Sequence, residues 1–344
     1  MLATTPNAYR SRGHLRVVWT LVVIAVLQFL VSADCFAQKT SSDRDTAWRQ
    51  ASEFISKGDA DLVRGDTGAA LTKYRSALDT FKRLSANEPG NRDLQRNLRL
   101  SHNKIGDIQK AQGDLGAALV SFAAAIKVDP KYAEAYKSRG AAYTAKGDFD
   151  LAIADYTKAI AIDPKDATYY YGRANTYEKK GDFDLAIADH TKAVEIQPKL
   201  GAYLRQLGLA RFNKGDFKAA AADLLRSLEL SDDSYVMLFR YLARQRAGEN
   251  AVAELEANAG RLKDKKWPYA VIELYLGKRS PAATLDAAGK PDEKCEAQFY
   301  IGQWYVAKGD QAAAAAPLKV AVDTCPKTFI EYTGAVVELK RLKP

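Results

Sequence analysis

The sequence has few of the residues that mark several specialised protein classes. Three cysteines among 344 residues cannot form a dense disulfide framework, and their spacing gives no zinc motif. The 22 Gly and 11 Pro are too few for a collagen-like or low-complexity chain. With 47% hydrophobic and 27% charged residues, the composition is that of an ordinary globular protein.

Side chains that serve catalysis are equally scarce. The chain has only three histidines, of which His14 lies in the N-terminal segment, while His102 and His190 fall at positions expected to pack in the interior. No H-E-x-x-H, G-x-S-x-G, Walker or G-x-G-x-x-G stretch is present. We therefore expect no enzymatic activity, no cofactor and no metal site.

The positive charge is modest and dispersed. A formal net charge of +9 comes from 51 basic and 42 acidic residues, which are mixed along the chain. No basic run is interleaved with aromatic residues that would stack on bases. The charge pattern therefore excludes nucleic acid as an expected partner.

A single long apolar run occurs, close to the N-terminus. Three arginines between residues 10 and 16 precede an apolar run over residues 17–31. Cys35 and Ala37 then place small residues three positions and one position before Gln38. A basic stretch, an apolar run and a small-residue site, in this order, are typical of a secretory signal.

This pattern predicts that residues 1–37 are a signal peptide, cleaved near Ala37-Gln38, and that the mature protein resides in a bacterial periplasm. An uncleaved membrane anchor is the alternative, although the run is shorter than the about 20 residues that span a bilayer. We expect membrane contact only if the segment stays uncleaved. A lipoprotein acylated at Cys35 is disfavoured by Asp34, the residue directly before it.

Internal repetition dominates the remainder of the chain. Residues 146–165 and 180–199 are identical at 16 of 20 positions and lie 34 residues apart. In the unit 133–166, small residues such as Gly140 alternate with aromatics such as Tyr156, and a proline, Pro164, comes near the end. Small residues let two helices approach closely, large ones fill the space between them, and proline ends the second helix.

These features resemble the tetratricopeptide repeat (TPR) family, whose unit is a pair of antiparallel helices. The resemblance implies an all-α solenoid in residues 38–234, because no pair can bury its apolar face alone. The expected units lie near residues 51–98, 99–132, 133–166, 167–200 and 201–234.

Beyond residue 234 the 34-residue phase is lost and later returns. Residues 235–294 predict an irregular helical segment, and residues 295–328 a final TPR unit. Residues 329–344 predict a capping helix. Its expected apolar stripe consists of Phe329, Tyr332, Val336 and Leu339.

Signal cleavage would leave two cysteines, Cys295 and Cys325, at opposite ends of the final unit. The start of the first helix and the end of the second are adjacent in an antiparallel pair. A disulfide is therefore expected in an oxidising compartment, provided that the Cα atoms lie within about 7 Å of each other. Two buried thiols are the alternative.

The last third of the chain also resembles NlpI-type bacterial envelope TPR proteins. The resemblance is carried by segments at residues 237–248, 267–281, 295–310 and 328–339, in that order. It implies a non-catalytic adaptor that docks periplasmic proteases or cell-wall hydrolases, commonly as a homodimer. Members of that family include outer-membrane lipoproteins, a feature that Asp34 does not support here.

In TPR arrays, side chains on one face of each first helix point into a concave groove that binds peptides or helices. The corresponding residues here form a mixed polar and aromatic set. They are Lys137, Tyr171, Asn175, Glu178, Lys179, Arg205, Leu209, Phe212 and Asn213.

We therefore expect a periplasmic scaffold or adaptor that binds other envelope proteins. Two alternatives stay open: a protein that binds peptidoglycan or another carbohydrate, and a subunit of an export or assembly complex. Carbohydrate binding would require exposed aromatic platforms, for which Tyr169 and Tyr171 are the candidates.

Overall fold

The structure, a computed structural model, describes residues 42–342, and within this range it contains 17 helices and no strand. The predicted signal peptide, residues 1–37, lies outside the described residues. None of the helices in the described range is long and apolar enough to cross a membrane. The chain divides into two compact units, the first ending at Pro130 and the second beginning at Lys131.

The first unit contains two helix pairs. Residues 42–63 form α1, followed by α2 (Thr67–Asn87), α3 (Arg92–Ala111) and α4 (Leu115–Val128). The aromatic side chains Tyr74 and Phe81 of α2 are fully buried in the core of this unit. A short loop separates the pairs, since α2 ends before Glu88 and Asn91 caps the start of α3.

The second unit continues the helix pairs and then becomes irregular. Its paired helices are α5 (Ala133–Lys146), α6 (Phe149–Ile162), α7 (Ala167–Lys180), α8 (Phe183–Ile196), α9 (Gly201–Lys214) and α10 (Phe217–Leu228). The irregular segment contains α11 (Ser234–Arg246), α12 (Val252–Arg261), α13 (Tyr269–Tyr275) and α14 (Pro281–Asp286). A last pair, α15 (Pro291–Ala307) and α16 (Gln311–Thr324), precedes α17 (Ile330–Arg341).

The turns inside the pairs follow from the Gly-Asp sequences. Gly147 has a φ of 93°, a left-handed conformation that glycine adopts without strain, and it ends α5. The next residue, Asp148, begins α6 and accepts a hydrogen bond from the Lys146 ammonium at 2.7 Å. The same arrangement ends α7 at Gly181.

The expected unit starts at residues 133, 167 and 201 coincide with the first residues of α5, α7 and α9. The expected starts at 51, 99 and 295 instead fall inside α1, α3 and α15; the starts of α3 and α15 can be traced to capping groups. The difference has a physical reason, because capping side chains start these two helices earlier. Asn91 accepts from the backbone N–H groups of Asp93 and Leu94, and Glu293 accepts from the N–H of Lys290.

Charged pairs tie the second unit together at repeating positions. The Arg139 guanidinium donates two hydrogen bonds to Asp155, and Arg173 makes the same pair with Asp189 one repeat later. Both carboxylates are largely buried, so these bidentate pairs fix the register of each first helix against its partner.

The predicted cysteine bridge is formed. Cys295 near the start of α15 and Cys325 at the end of α16 are joined by a disulfide, with a Cα–Cα distance of 5.1 Å. Both residues are buried in the large core of the second unit. The bridge therefore fixes the point at which the chain leaves α16 and turns toward α17.

The C-terminal helix α17 packs against α15 and α16, and it also reaches back to α9. The Arg341 guanidinium donates to the backbone carbonyls of Phe212 and Asn213 at the end of α9. Arg246 of α11 donates to the Glu338 carboxylate at 2.9 Å. The helix thus covers the last pair and also closes over part of α9.

The face that α17 buries differs from the expected apolar stripe. Phe329, Tyr332, Val336 and Leu339 are only half-buried. The buried positions are Glu331, Gly334, Ala335 and Glu338. The Phe299 ring of α15 explains this rotation, because a Cβ at position 334 would lie 2.8 Å from it, and only a glycine allows the helix this close.

Candidate functional site

A cavity of about 250 Å³ lies between the first helices of successive pairs and the beginning of α17. Three walls come from α7, α9 and α11, and the fourth comes from the segment Lys327–Thr333. The lining residues are Tyr171, Asn175, Glu178, Lys179, Gln206, Leu209, Asn213, Phe239, Lys327, Thr328, Phe329, Ile330 and Thr333.

Most of the groove residues expected from the sequence meet at this cavity. They are Tyr171, Asn175, Glu178, Lys179, Leu209 and Asn213. Their common origin is the helical period, because residues three or four positions apart on α7 and α9 share one face. The helical period therefore places these six residues on the two walls that the regular repeats supply.

The other three expected residues lie elsewhere. Lys137 on α5 forms an ion pair with Glu134 at 2.5 Å and does not line the cavity. Arg205 is on α9 but donates to Asp233 at 3.3 Å, away from the cavity. Phe212 is only 1% exposed and packs against the rings of Phe217 and Phe239. The prediction that Phe212 faces the groove was wrong, because this ring is part of the core that α11 and α17 complete.

A buried histidine contacts the acidic wall of the cavity. His190 is fully buried, and its Nε2 lies 2.7 Å from Oε1 of Glu178. In the preceding repeat the equivalent position holds Tyr156, which packs against the backbone of Gly140 and Gly172. The expectation that His190 packs in the interior is confirmed, and its ring additionally holds the carboxylate that faces the cavity.

The aromatic side chains near the cavity are mostly committed to packing. The Tyr171 ring lies 5.6 Å from the His190 ring and 5.2 Å from the Tyr203 ring, and it is half-buried. Tyr169 is 5% exposed, so it cannot serve as the sugar platform that the sequence suggested. This burial removes one of the two aromatic surfaces on which the carbohydrate alternative depended.

The fourth wall and the residue Gln206 were not predicted. Gln206 lies one turn before Leu209 on α9, so helical spacing alone could have placed it beside the expected residues. The segment Lys327–Thr333 has no such signal, because only the contact of α17 with α9 brings it to the cavity.

Two buried carboxyl groups lie behind this wall. Glu331 in the first turn of α17 accepts a hydrogen bond from the Tyr300 hydroxyl at 2.9 Å. Burial raises the pKa of Glu331 to about 7, and the nearby Glu296 carboxyl contributes in the same direction. Burial likewise raises the pKa of Glu296, although Trp267 and Tyr235 both donate to it.

Within residues 42–342, no group of three or more His, Cys, Asp or Glu side chains is placed to hold a metal ion. The polar groups of the cavity are amides, one carboxylate, hydroxyls and ammonium groups, which suit recognition of polar side chains and peptide groups.

Comparison with known families agrees with the helix pairs and their spacing. Family profiles described as "TPR repeat" match residues 106–147 and 140–181, and profiles described as "Tetratricopeptide repeat" match residues 167–200 and 296–328. The chain contains tetratricopeptide repeats. The matched TPR segments include α7, which lines the cavity, and the final pair α15 and α16.

A solved structure of a TPR protein shares this fold, and two further solved structures are similar at lower scores. A tetratricopeptide repeat protein from Parabacteroides merdae is 18% identical over 84% of this chain and 98% of its own length, with a TM-score of 0.50. The C-terminal part of a TPR repeat-containing protein from Cytophaga hutchinsonii is also 18% identical, covers 83% of this chain and 98% of its own, and has a TM-score of 0.47. A MamA fragment from Desulfovibrio magneticus is 23% identical over 53% of this chain and 94% of its own, with a TM-score of 0.42.

Proposed function

We propose that this TPR protein is a non-catalytic scaffold of the bacterial envelope, which binds a segment of a partner protein at the cavity of its second unit. TPR arrays are a protein-interaction fold, and side chains of α7 and α9 converge here with an additional wall from α17. This convergence is the observation that carries the proposal.

Several features of the cavity favour a protein partner over a small metabolite. Its volume of about 250 Å³ is below the range of roughly 300–1,000 Å³ that is typical of small-molecule pockets. The lining combines aromatic rings with amides and charges, a mixture found where one protein anchors a side chain of another.

The place of action is proposed from the N-terminal segment, whose basic, apolar and small-residue order is that of an export signal. The disulfide between Cys295 and Cys325 supports an oxidising compartment such as the periplasm. The similarity of the last third of the chain to NlpI-type proteins adds the proposal that the partners include proteases or cell-wall hydrolases.

The proposal is tested by photo-crosslinking in intact cells. A photoreactive phenylalanine derivative replaces Asn175 in the cavity, and in a matched control it replaces Lys319, an exposed residue of α16. We expect defined envelope proteins to be captured from position 175 and not from position 319. Captures that are the same at both positions would contradict binding at this cavity.

Purification of a captured protein allows a quantitative test. Tyr171→Ala removes an aromatic lining side chain, so the Kd for the purified partner should rise about tenfold. Lys319→Ala should leave the Kd unchanged. An unchanged Kd for Tyr171→Ala would reject this ring as a contact of the partner.

A further inference from the structure

The small volume of the cavity limits what can enter it. About 250 Å³ has room for one large side chain, but not for a helix or a folded domain. The walls differ in charge with depth, because the carboxylate of Glu178 is only 16% exposed, whereas Lys179 and Lys327 are exposed. A side chain that inserts into the cavity therefore passes the ammonium groups at the rim and reaches the carboxylate in the interior.

The interior has hydrogen-bond acceptors that lack donors. Oε1 of Gln206 is buried and has no hydrogen-bond partner. One carboxylate oxygen of Glu178 lies 2.7 Å from Nε2 of His190, and no side chain within residues 42–342 donates to the other. A buried acceptor without a donor, such as Oε1 of Gln206, is costly, and Glu178 adds a carboxylate oxygen that is open to a ligand. A ligand that supplies several N–H groups would therefore gain most here.

The residue that contacts Glu178, His190, distinguishes this repeat from its neighbour. The preceding repeat has Tyr156 where this repeat has His190, although the two segments are otherwise nearly identical. The substitution replaces a packing ring by a group that fixes a carboxylate at 2.7 Å. The acidic interior is thus a feature of this one repeat and does not follow from the general TPR pattern.

The rim carries the opposite charge. Lys179 and Lys327 lie on different walls, at the end of α7 and just before α17. Both side chains are exposed where they line the cavity. Both are therefore available to acidic groups that flank an inserted side chain.

We propose that the cavity binds an arginine side chain of the partner segment, and that this arginine is flanked by acidic residues. The planar guanidinium has five donors in a fixed arrangement, which can satisfy Glu178 and Gln206 together. It also stacks on aromatic faces, which Tyr171 and Phe329 supply. Carboxylates on either side of the arginine pair with Lys179 and Lys327. This assignment rests on the proposed function, since it names the group of the partner that the cavity recognises.

The probe is a blocked pentapeptide, acetyl-Gly-Asp-Arg-Asp-Gly-amide, titrated against the purified full chain by calorimetry or NMR. A second peptide replaces arginine by citrulline, which has nearly the same shape but no charge. We expect the arginine peptide to bind about tenfold more tightly, because charge-assisted hydrogen bonds replace neutral ones. Equal affinities for the two peptides would overturn the proposal.

Variants of the protein test whether Glu178 causes the preference for the arginine peptide over the citrulline peptide. Glu178→Gln keeps the size of the side chain and an oxygen for His190, but it should abolish the preference for arginine over citrulline. Glu195→Gln is the matched control, since Glu195 is exposed on α8 and pairs with Lys192, away from the cavity. A preference that persists in Glu178→Gln would reject the assignment even if the arginine peptide binds.

The outcome separates this inference from the proposed function. If partners are captured from position 175 while the arginine and citrulline peptides bind equally, the arginine site is rejected and the scaffold proposal stands. If the preference depends on Glu178 while no partner is captured at position 175, the arginine site stands and the scaffold proposal is contradicted.

Discussion

Two glutamates of α17, Glu331 and Glu338, are both almost fully buried, yet their surroundings differ. Glu338 is 1% exposed and accepts hydrogen bonds from Arg246 and Arg341. Glu331 is 3% exposed, accepts from the neutral Tyr300 hydroxyl, and lies near the second buried carboxyl of Glu296. Because no basic group among residues 42–342 compensates its charge, Glu331 should make the docking of α17 depend on pH.

The sign of this dependence follows from the direction of the pKa shift. The pKa of Glu331 is raised from 4.5 to about 7 in the folded protein. The folded state therefore binds this proton more tightly, and the associated stability is present at pH 4.5 and is lost as the pH rises through 7. The loss is on the order of 3 kcal/mol for a shift of this size.

We expect Glu331→Gln to remove most of this dependence, because the amide keeps an acceptor for Tyr300 and carries no charge. Chemical denaturation at pH 5 and pH 8 measures it: the variant should be more stable than the native protein at pH 8, and the difference should shrink at pH 5. Glu338→Gln is the control and should be destabilising at both values, since it leaves Arg246 and Arg341 without their carboxylate. A native protein equally stable at both pH values would contradict the assignment of Glu331.

At the scale of the helices, close approach depends on glycine at one position of the repeat. A Cβ on Gly302 of α15 would lie 2.5 Å from Cγ of Leu318 and 3.3 Å from the Leu318 backbone nitrogen of α16. The side chain and the backbone of the partner helix both stand in the way, so the helices must separate to admit a methyl group.

We therefore expect Gly302→Ala to lower the free energy of unfolding by about 1–3 kcal/mol. Gly260→Ala in α12 is the matched control, because nothing lies within 4 Å of a Cβ there. The control should be neutral or more stable by up to about 1 kcal/mol, as alanine is the better helix former. Urea titrations of both variants make the comparison, and equal stabilities would show that α15 and α16 can repack at no cost.

The disulfide is the covalent link between the same two helices. Cys295 and Cys325 are separated by 30 residues, for which the chain-entropy model gives a stabilisation of about 3–4 kcal/mol. Replacing both with serine should lower stability by that amount, and dithiothreitol should destabilise the native protein but not the variant. Labelling of two thiols in unreduced protein would instead indicate free cysteines.

The helices show what the sequence could and could not predict. The starts of α5, α7 and α9 were predicted because Gly, Asp and Pro act locally, within a few residues of the boundary they set. The contact of α17 with α9 was not predicted. Arg341 and Phe212 are 129 residues apart, and no local sequence pattern indicates that they meet. The same contact explains why Phe212 is in the core and why the wall at Lys327 was missed.

For the molecule as a whole, we propose that the N-terminal segment decides where the protein acts. Three outcomes can be distinguished for this segment: it is cleaved after Ala37, it is retained as a membrane anchor, or the chain is acylated at Cys35. Cleavage requires small side chains at Cys35 and Ala37, whereas acylation is opposed by Asp34. Cleavage would also remove the unpaired third cysteine, so that the mature protein keeps only the two that form the bridge.

We expect the protein recovered from a bacterial periplasm to begin at Gln38, as measured by the mass of the intact chain. Ala37→Leu should block processing, because a large residue next to the cleavage site does not fit the peptidase, and the uncleaved chain should sediment with membranes. Ala33→Leu makes the same chemical change outside the recognised positions and should be processed normally. If the native chain retains residues 1–37, the protein is a membrane-anchored scaffold and not a free periplasmic one. If the chain begins at a lipid-modified Cys35, Asp34 does not prevent acylation.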